Sequence, residues 1–182
     1  MPRLFAFLRA INVGGHTVTM EDLRAHFSSL GLRDVETFIA SGNVIFSSRA
    51  AAMPALEQRI GSRLGAALGY PVPTFIRTEA QLTALHSFRA FPETEQRAAH
   101  AVMVGLVAKP LGASAATALL ALGGANDRFR VNRREVYWLR RSRESDPTLT
   151  NARLERVLGT AATFRNLNTI ARLVDKYDLG AS

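Results

Sequence analysis

The first segment of this chain decides its fold: residues 3–15 read RLFAFLRAINVGG. Leucines alternate with Phe5 and Phe7 along its first part, so both faces are apolar, as in a strand that is covered on both sides. A polar stretch that ends in two glycines follows at once, and we interpret it as a loop at the edge of a sheet. Residues 38–47, FIASGNVIFS, place a second polar turn directly before another apolar run.

Helix signals follow the first loop. Thr19 is a suitable cap for a helix that runs to Leu30, with Asp22 three residues further on and Gly31 as the stop. The other elements of the first half are strands at 35–40, 43–47 and 72–77, a helix at 53–68 and a short helix from Thr78. The first half therefore reads βαββαβ, followed by a helix.

The same order of elements begins again in the second half. A polar connection at 91–97 precedes a strand at 100–107, an alanine-rich helix to Leu122, a hairpin at 128–132 and 135–140, a helix at 149–158, a strand at 163–165 and a last helix at 166–177. We predict an α+β protein of two tandem ferredoxin-like βαββαβ units with mainly antiparallel sheets, at residues 1–92 and 98–182.

Composition narrows the class of protein. The 182 residues are 47% hydrophobic and contain no cysteine, which excludes disulfides and cysteine-ligated metals and fits a reducing cytoplasm. Residues 111–125 are mostly apolar but shorter than the roughly 18 residues that span a bilayer, so we expect a buried helix and no membrane partner. The net charge of +8 attracts anions, although two lysines among 23 basic residues also fit a coding bias.

Polar residues at the two turns form the candidate ligand site. Adjacent antiparallel first and third strands would bring the end of one to the start of the other, at one sheet edge. The site residues predicted here are Arg9, Asn12, Gly14, Gly15, Ser41 and Asn43. Arginine clamps a carboxylate or phosphate with its planar fork, and asparagine both donates and accepts hydrogen bonds. In the alternative interpretation, the asparagines stabilise turns, the glycines supply positive φ and Arg9 forms an ion pair.

A second polar group stands at the last strand-to-helix junction, at Arg165, Asn166 and Asn168. Either asparagine can cap the helix, which explains one of them but not Arg165. We predict that these residues join the first group in a single pocket for a small anionic or polar ligand.

Familiar catalytic signatures are missing from the sequence. The glycine pair lacks a Walker lysine and the G-x-G-x-x-G spacing, and Ser41 lacks the nucleophile elbow. The four histidines show no ligand spacing, so we predict no metal and no cofactor. Catalytic residues stay unassigned.

Arginines crowd the second hairpin and support an alternative function, nucleic-acid binding. Its residues would be Arg128, Arg130, Arg133, Arg134, Tyr137, Trp138 and Arg140, with basic side chains on one face and aromatic rings that stack on bases. A solvated edge strand that carries charge explains the arginines as well. A second alternative is an interaction module that forms a homodimer through a sheet face.

Three motifs resemble a bacterial family known as domain of unknown function 1697. Residues 8–15 resemble its Leu-Arg-Gly-Ile-Asn-Val-Gly-Gly motif, residues 41–44 match its Ser-Gly-Asn-Val segment, and residues 163–169 resemble its Thr-x-Arg-Asn-Trp-Asn-Thr motif. The resemblance implies tandem ferredoxin-like domains, which agrees with the element order, and it implies no established activity.

Two positions depart from the family motifs. Ala10 replaces a glycine that would tolerate a positive φ. The resemblance therefore does not decide the backbone conformation of the first loop. Leu167 replaces a tryptophan and preserves apolar packing.

Overall fold

A computed structural model describes residues 1–12, 15, 17–39, 42–143 and 147–180. The chain divides into two compact units, Met1–Leu82 and Thr83–Ser182; the ranges expected from the sequence were 1–92 and 98–182. The described residues form an α+β protein with two four-stranded antiparallel sheets and seven helices. None of the helices in the described part is long and apolar enough to cross a membrane.

The first unit contains one sheet with two helices on one face. Its elements are β1 (Arg3–Leu8), α1 (Met20–Ser28), β2 (Arg33–Thr37), β3 (Asn43–Ser47), α2 (Met53–Leu68) and β4 (Thr74–Thr78), and α3 (Glu79–Ser87) crosses the unit boundary. The strand order is β2-β3-β1-β4, and every neighbouring pair is antiparallel. The predicted adjacency of the first and third strands is therefore confirmed.

Local signals position α1 as the sequence predicts. The Thr19 hydroxyl oxygen accepts a hydrogen bond from the backbone N–H of Asp22 at 3.0 Å, which satisfies one of the first free donors of the helix. Leu23 and Phe27 then face the sheet, and the Phe27 ring meets the Phe46 ring edge-on at 5.4 Å between centroids. Capping and apolar spacing together fix this helix.

Both faces of β1 are buried, as its sequence pattern predicts. Leu4 and Leu8 belong to the core beneath α1 and α2. Phe5 and Phe7 lie on the opposite face and expose only 1% and 0% of their surface. The strand is therefore fully covered within the chain.

The second unit repeats this arrangement with shorter helices. Its elements are α4 (Glu93–Ala98), β5 (Ala101–Leu106), α5 (Ala113–Leu120), β6 (Asp127–Asn132), β7 (Glu135–Arg140), α6 (Asn151–Leu158), β8 (Thr163–Asn166) and α7 (Leu167–Lys176). The strand order is β6-β7-β5-β8, again antiparallel throughout. β5 thus takes the place of β1, and β8 that of β4.

Two sequence predictions in this unit are wrong. The polar connection at 91–97 contains the helix α4, which begins after Pro92 and pairs Glu93 with Arg97 one turn later. The stretch 111–125 is not a buried helix, because α5 covers only Ala113–Leu120 and buries Leu119 alone. Its alanines are too small and too evenly spread to form a broad apolar stripe.

Candidate functional site

Three loops meet at one edge of the first sheet, which we call the loop edge; its described residues are 9–12, 15, 17–19, 38–39, 42 and 69–73. Asn43 pairs with Phe7 across β3 and β1. Just beyond that pair, the Leu8 N–H donates to the Gly42 carbonyl oxygen at 2.8 Å, and the Arg9 N–H donates to the Pro73 oxygen at 2.9 Å. The end of β1 is therefore tied to both neighbouring loops.

Gly42 is required where two of these loops touch. Its φ is +73°, and a Cβ built there would lie 3.0 Å from the Ile11 Cβ and 3.2 Å from the Leu8 Cβ. The first distance is at the limit of what real side chains tolerate, so residue 42 has neither the backbone freedom nor the space for a side chain. This close approach explains the glycine in the Ser-Gly-Asn segment.

The backbone of the loop edge is strained at three residues other than glycine. Ala10, Asn12 and Ile39 adopt φ values of +62°, +55° and +56°. Asparagine tolerates this left-handed region, whereas alanine resists it and a β-branched isoleucine rarely enters it. Ile39 is also 43% exposed, so burial of its side chain does not explain its conformation. Ala10 therefore adopts the positive φ that a glycine would favour, although alanine replaces the glycine of the family motif here.

Both asparagines of the predicted site hold the loops in place. The Asn12 side-chain oxygen accepts from the Val18 N–H at 2.8 Å. The Asn43 amide nitrogen donates to the Phe38 carbonyl oxygen at 3.0 Å, and Asn43 is buried. These contacts are the turn-stabilising role that the sequence left open as the alternative to ligand binding.

The other predicted residues of the loop edge differ in their surroundings. Arg9 is half-buried at the end of β1, and Gly15 is exposed with a φ of +83°. Gly14 and Ser41 lie outside the described residues. Arg9 thus places a guanidinium group at the described part of the loop edge.

The junction of β8 and α7, in the second unit, is built mainly for structure. Asn166 caps α7, because its side-chain oxygen accepts from the Asn168 N–H at 2.9 Å. Arg165 is buried and donates to the Thr163 hydroxyl at 2.8 Å and to the Phe164 carbonyl oxygen at 2.9 Å. Loss of solvation lowers the pKa of Arg165 to about 10. The single pocket predicted from the sequence stays a prediction.

The aromatic residues of the second hairpin are buried, which overturns the stacking that the nucleic-acid alternative requires. Tyr137 is fully buried and its hydroxyl donates to the Leu85 carbonyl oxygen at 2.8 Å. Trp138 is 6% exposed, and its indole N–H donates to a carboxylate oxygen of Asp127 at 2.7 Å. Phe129 stacks on Trp138 within the same core. None of these rings is available to a base, because both faces of β7 are covered at these positions.

Several arginines of the same hairpin are already engaged. Arg128 and Arg141 both bind the Glu95 carboxylate, which is a residue of α4 that the sequence analysis missed because it read this segment as a connection. The hydrogen bond from Arg128, followed by that from Arg141, lowers the pKa of Glu95. The Arg140 guanidinium lies 5.1 Å from the centre of the Trp138 ring.

The turn of the hairpin leaves more charge exposed. Arg134 donates to the Ala108 carbonyl oxygen at 3.4 Å, while Arg130 and Arg133 point into solvent. The candidate nucleic-acid surface is therefore reduced to a few arginines without aromatic partners. Within the part of the chain that the structure describes, no three histidine or acidic side chains form a metal-binding group.

Comparisons agree with this architecture. The strand orders and the paired loops define an α+β protein built from two four-stranded antiparallel sheets. The chain belongs to the DUF1697 family, described as a protein of unknown function, whose match covers residues 1–137. The C-terminal motif at 163–169 lies beyond that match. No curated protein sequence matches.

A solved structure has a similar fold. It is described as a conserved bacterial protein, SP0830 from Streptococcus pneumoniae, with a TM-score of 0.74 and 21% sequence identity. The alignment covers 96% of this chain and 99% of that one. At this level of identity the likeness supports the fold and carries no function.

Proposed function

We propose that this protein binds a small anionic or polar molecule at the loop edge of the first unit. The observation that carries the proposal is the strained backbone there, at Ala10, Asn12 and Ile39. Each such conformation costs on the order of 1 kcal/mol or more, and such residues cluster at ligand-binding positions. Strain that gives no packing benefit, as at the exposed Ile39, favours a role in presenting backbone groups.

The chemistry of the edge favours a carboxylate or phosphate group. Arg9 supplies a planar guanidinium whose paired donors match the two oxygens of either anion. Because this side chain is half-buried, water screens its attraction to an anion less than it would for a fully solvated arginine. We assign no catalytic residue, so the proposed activity is binding.

The finer description of the fold follows the strand orders. We infer that each unit is a ferredoxin-like βαββαβ fold and that the chain is a tandem repeat, because β2-β3-β1-β4 and β6-β7-β5-β8 follow the same rule. We also infer a cytoplasmic location from the lack of cysteine in a basic chain of 182 residues.

Native mass spectrometry of the freshly purified protein tests the binding proposal. We expect a bound species of low mass, and we expect inorganic phosphate or a simple carboxylate to raise the melting temperature. Arg9→Gln should abolish both effects. Arg49→Gln is the matched control, because it removes the same charge from an exposed residue beyond the opposite end of β3.

The same spectra separate the alternatives. Co-purified nucleic acid would support the Arg128–Arg143 hairpin as the functional surface, and its binding would weaken steeply as salt rises. A pure dimer without ligand would support the interaction module. Equal effects of Arg9→Gln and Arg49→Gln would reject the loop edge as the binding site.

A further inference from the structure

The outer edge of the second sheet has unused backbone hydrogen-bonding groups. β6 is an edge strand and pairs only with β7. Asn132 faces Glu135 across a two-residue turn, so the backbone groups of Asn132, Arg130 and Arg128 point toward β7. Those of the alternate residues, Phe129 and Val131, point away from the sheet.

The start of this edge is closed and the remainder is open. The outward carbonyl oxygen of Asp127 accepts from the Gly124 N–H at 2.8 Å, which confirms the alternation. No described residue bonds the outward groups of Phe129 or Val131. The open section therefore offers two N–H donors and two carbonyl acceptors to an added strand.

The surroundings of this edge differ between the two faces of the sheet. On the face away from α5 and α6, Arg128 and Arg130 flank the open section; Arg128 binds Glu95 of α4, whereas Arg130 is exposed. A shallow, open recess of about 330 Å³ with a mainly polar lining lies between the end of α5 and β6. Leu120 lines it and is 46% exposed. The open section thus has one exposed cationic side chain, Arg130, and one exposed apolar side chain, Leu120, beside it.

Charge decides which strand can add here. A second copy of the chain pairing through its own β6 would bring arginines opposite arginines, and like charges across a strand pair destabilise it. An acidic segment gains from the same residues and from the net charge of +8. The arginines that discourage self-association at this edge thus select for a partner of opposite charge.

We propose that β6 binds an extended acidic segment of another protein, which adds to the second sheet as a further strand. An acidic side chain of this segment lies beside Arg130, and a neighbouring apolar side chain packs against the exposed Leu120. Its backbone pairs with Phe129 and Val131. This site is separate from the ligand site proposed in the first unit, so either proposal can fail without the other.

A blocked peptide of alternating glutamate and valine is the probe, and the same peptide with lysine in place of glutamate is its counterpart. Fluorescence of Trp138 reports binding, because this single tryptophan stacks on Phe129 and bonds Asp127, both in β6. We expect the acidic peptide to shift the emission and the basic peptide to leave it unchanged. Added salt should weaken the binding.

Val131→Pro tests the backbone pairing directly. Proline removes an N–H that points away from β7, so the hairpin keeps its own hydrogen bonds. We expect about tenfold weaker peptide binding, which corresponds to roughly 1.4 kcal/mol. Val131→Ala is the matched control, since it removes the same side chain but keeps the N–H, and it should bind at least severalfold more tightly than Val131→Pro.

Arg130→Glu provides a second variant whose result does not depend on proline being tolerated. Because Arg130 is exposed, the variant should fold, and it should exchange the preference of the edge from the acidic to the basic peptide. The proposal is overturned if the acidic peptide does not bind the wild-type protein, if Val131→Pro and Val131→Ala bind it equally, or if Arg130→Glu retains the wild-type preference. Displacement of the peptide by oligonucleotide with higher affinity would also overturn it.

Discussion

The two units share a strand order, but they hold the ends of their central strands in different ways. In the first unit, β1 ends in a long loop with strained residues, and Gly42 makes the close contact. In the second unit the Val107 N–H bonds the Arg134 oxygen at 3.1 Å, in the position that Leu8 and Gly42 occupy in the first. There Arg134 stands in place of the glycine, in a two-residue turn whose other residue, Arg133, has a φ of +53°.

The two units concentrate their specialised contacts in different parts of the structure. The first unit places them in the backbone, at Ala10, Asn12 and Ile39. Apart from Arg133, the second places them in side chains around β6 and β7, where Glu95, Arg128 and Trp138 form polar contacts. The same topology therefore supports mainly backbone contacts in the first unit and mainly side-chain contacts in the second.

Gly42→Ala should have the largest effect on stability. Its Cβ would press on Ile11 and Leu8 while the backbone stays left-handed, so we expect a loss of about 3 kcal/mol in the free energy of unfolding. Gly15→Ala is the matched control, because its φ is also positive but no atom lies within 4 Å of the added Cβ. It should lose only about 1 kcal/mol. Urea unfolding measures both, and equal losses would show that the loops do not press on each other.

Asn12→Ala should come second. It removes the oxygen that accepts from the Val18 N–H and puts alanine where φ is +55°. We expect a loss of about 2 kcal/mol. Asn12→Asp keeps the acceptor oxygen and should retain most of the stability, as followed by thermal unfolding. If Asn12→Asp is as unstable as Asn12→Ala, the bond to Val18 is not what holds this loop.

Much of the fold could be predicted from sequence, because its signals are local. Thr19 and Gly31 mark the ends of α1, and alternation identifies β1 with both faces covered. α4 was missed because its six residues bury nothing and therefore carry no apolar periodicity. The alanine-rich stretch misled for the opposite reason, since its hydrophobicity does not show how little surface alanine buries.

The site was harder to predict than the fold. The sequence placed Asn43 beside the first loop correctly, since strand order alone decides that. It left open whether the amides of Asn12 and Asn43 bind a ligand or bond their own loops, because such bonds depend on backbone angles. The positive φ of Ile39 has no sequence signal, as isoleucine normally indicates the opposite. Tyr137 and Trp138 lie on opposite faces of β7 and are both buried because both faces of this strand are covered, which charge counting along the hairpin concealed.

Ala10→Gly should raise the stability of the folded protein if the positive φ of Ala10 in the first unit is strained. Glycine adopts a φ of +62° without steric conflict, and we expect a gain of about 0.7 kcal/mol after the entropy of the unfolded chain is included. Ala108→Gly, just after β5, is the matched control, because Ala108 is exposed and is not among the residues with positive φ. It should lower stability by about as much. The same sign for both changes would mean that strain at Ala10 is relieved by its surroundings.

Glu95→Gln should have the smallest effect, and it appears as a change in pH dependence. Hydrogen bonds from Arg128 and Arg141 lower the pKa of Glu95 below its ordinary value of 4.5 in the folded chain. The stabilisation is complete at neutral pH. As the pH falls below 4.5, the unfolded chain takes up the proton first, so stability is lost until the folded carboxyl is protonated as well.

The glutamine variant cannot take up that proton, so its stability should fall less steeply with acid than that of the wild type. Trp138 emission follows the second unit, because the chain has no other tryptophan. Arg128→Gln keeps the carboxylate but removes the main cause of its lowered pKa, and it should flatten the same part of the profile. An unchanged acid slope in both variants would mean that α4 does not hold β6 through charge, and the side-chain half of the contrast between the units would then rest on the buried Trp138–Asp127 bond.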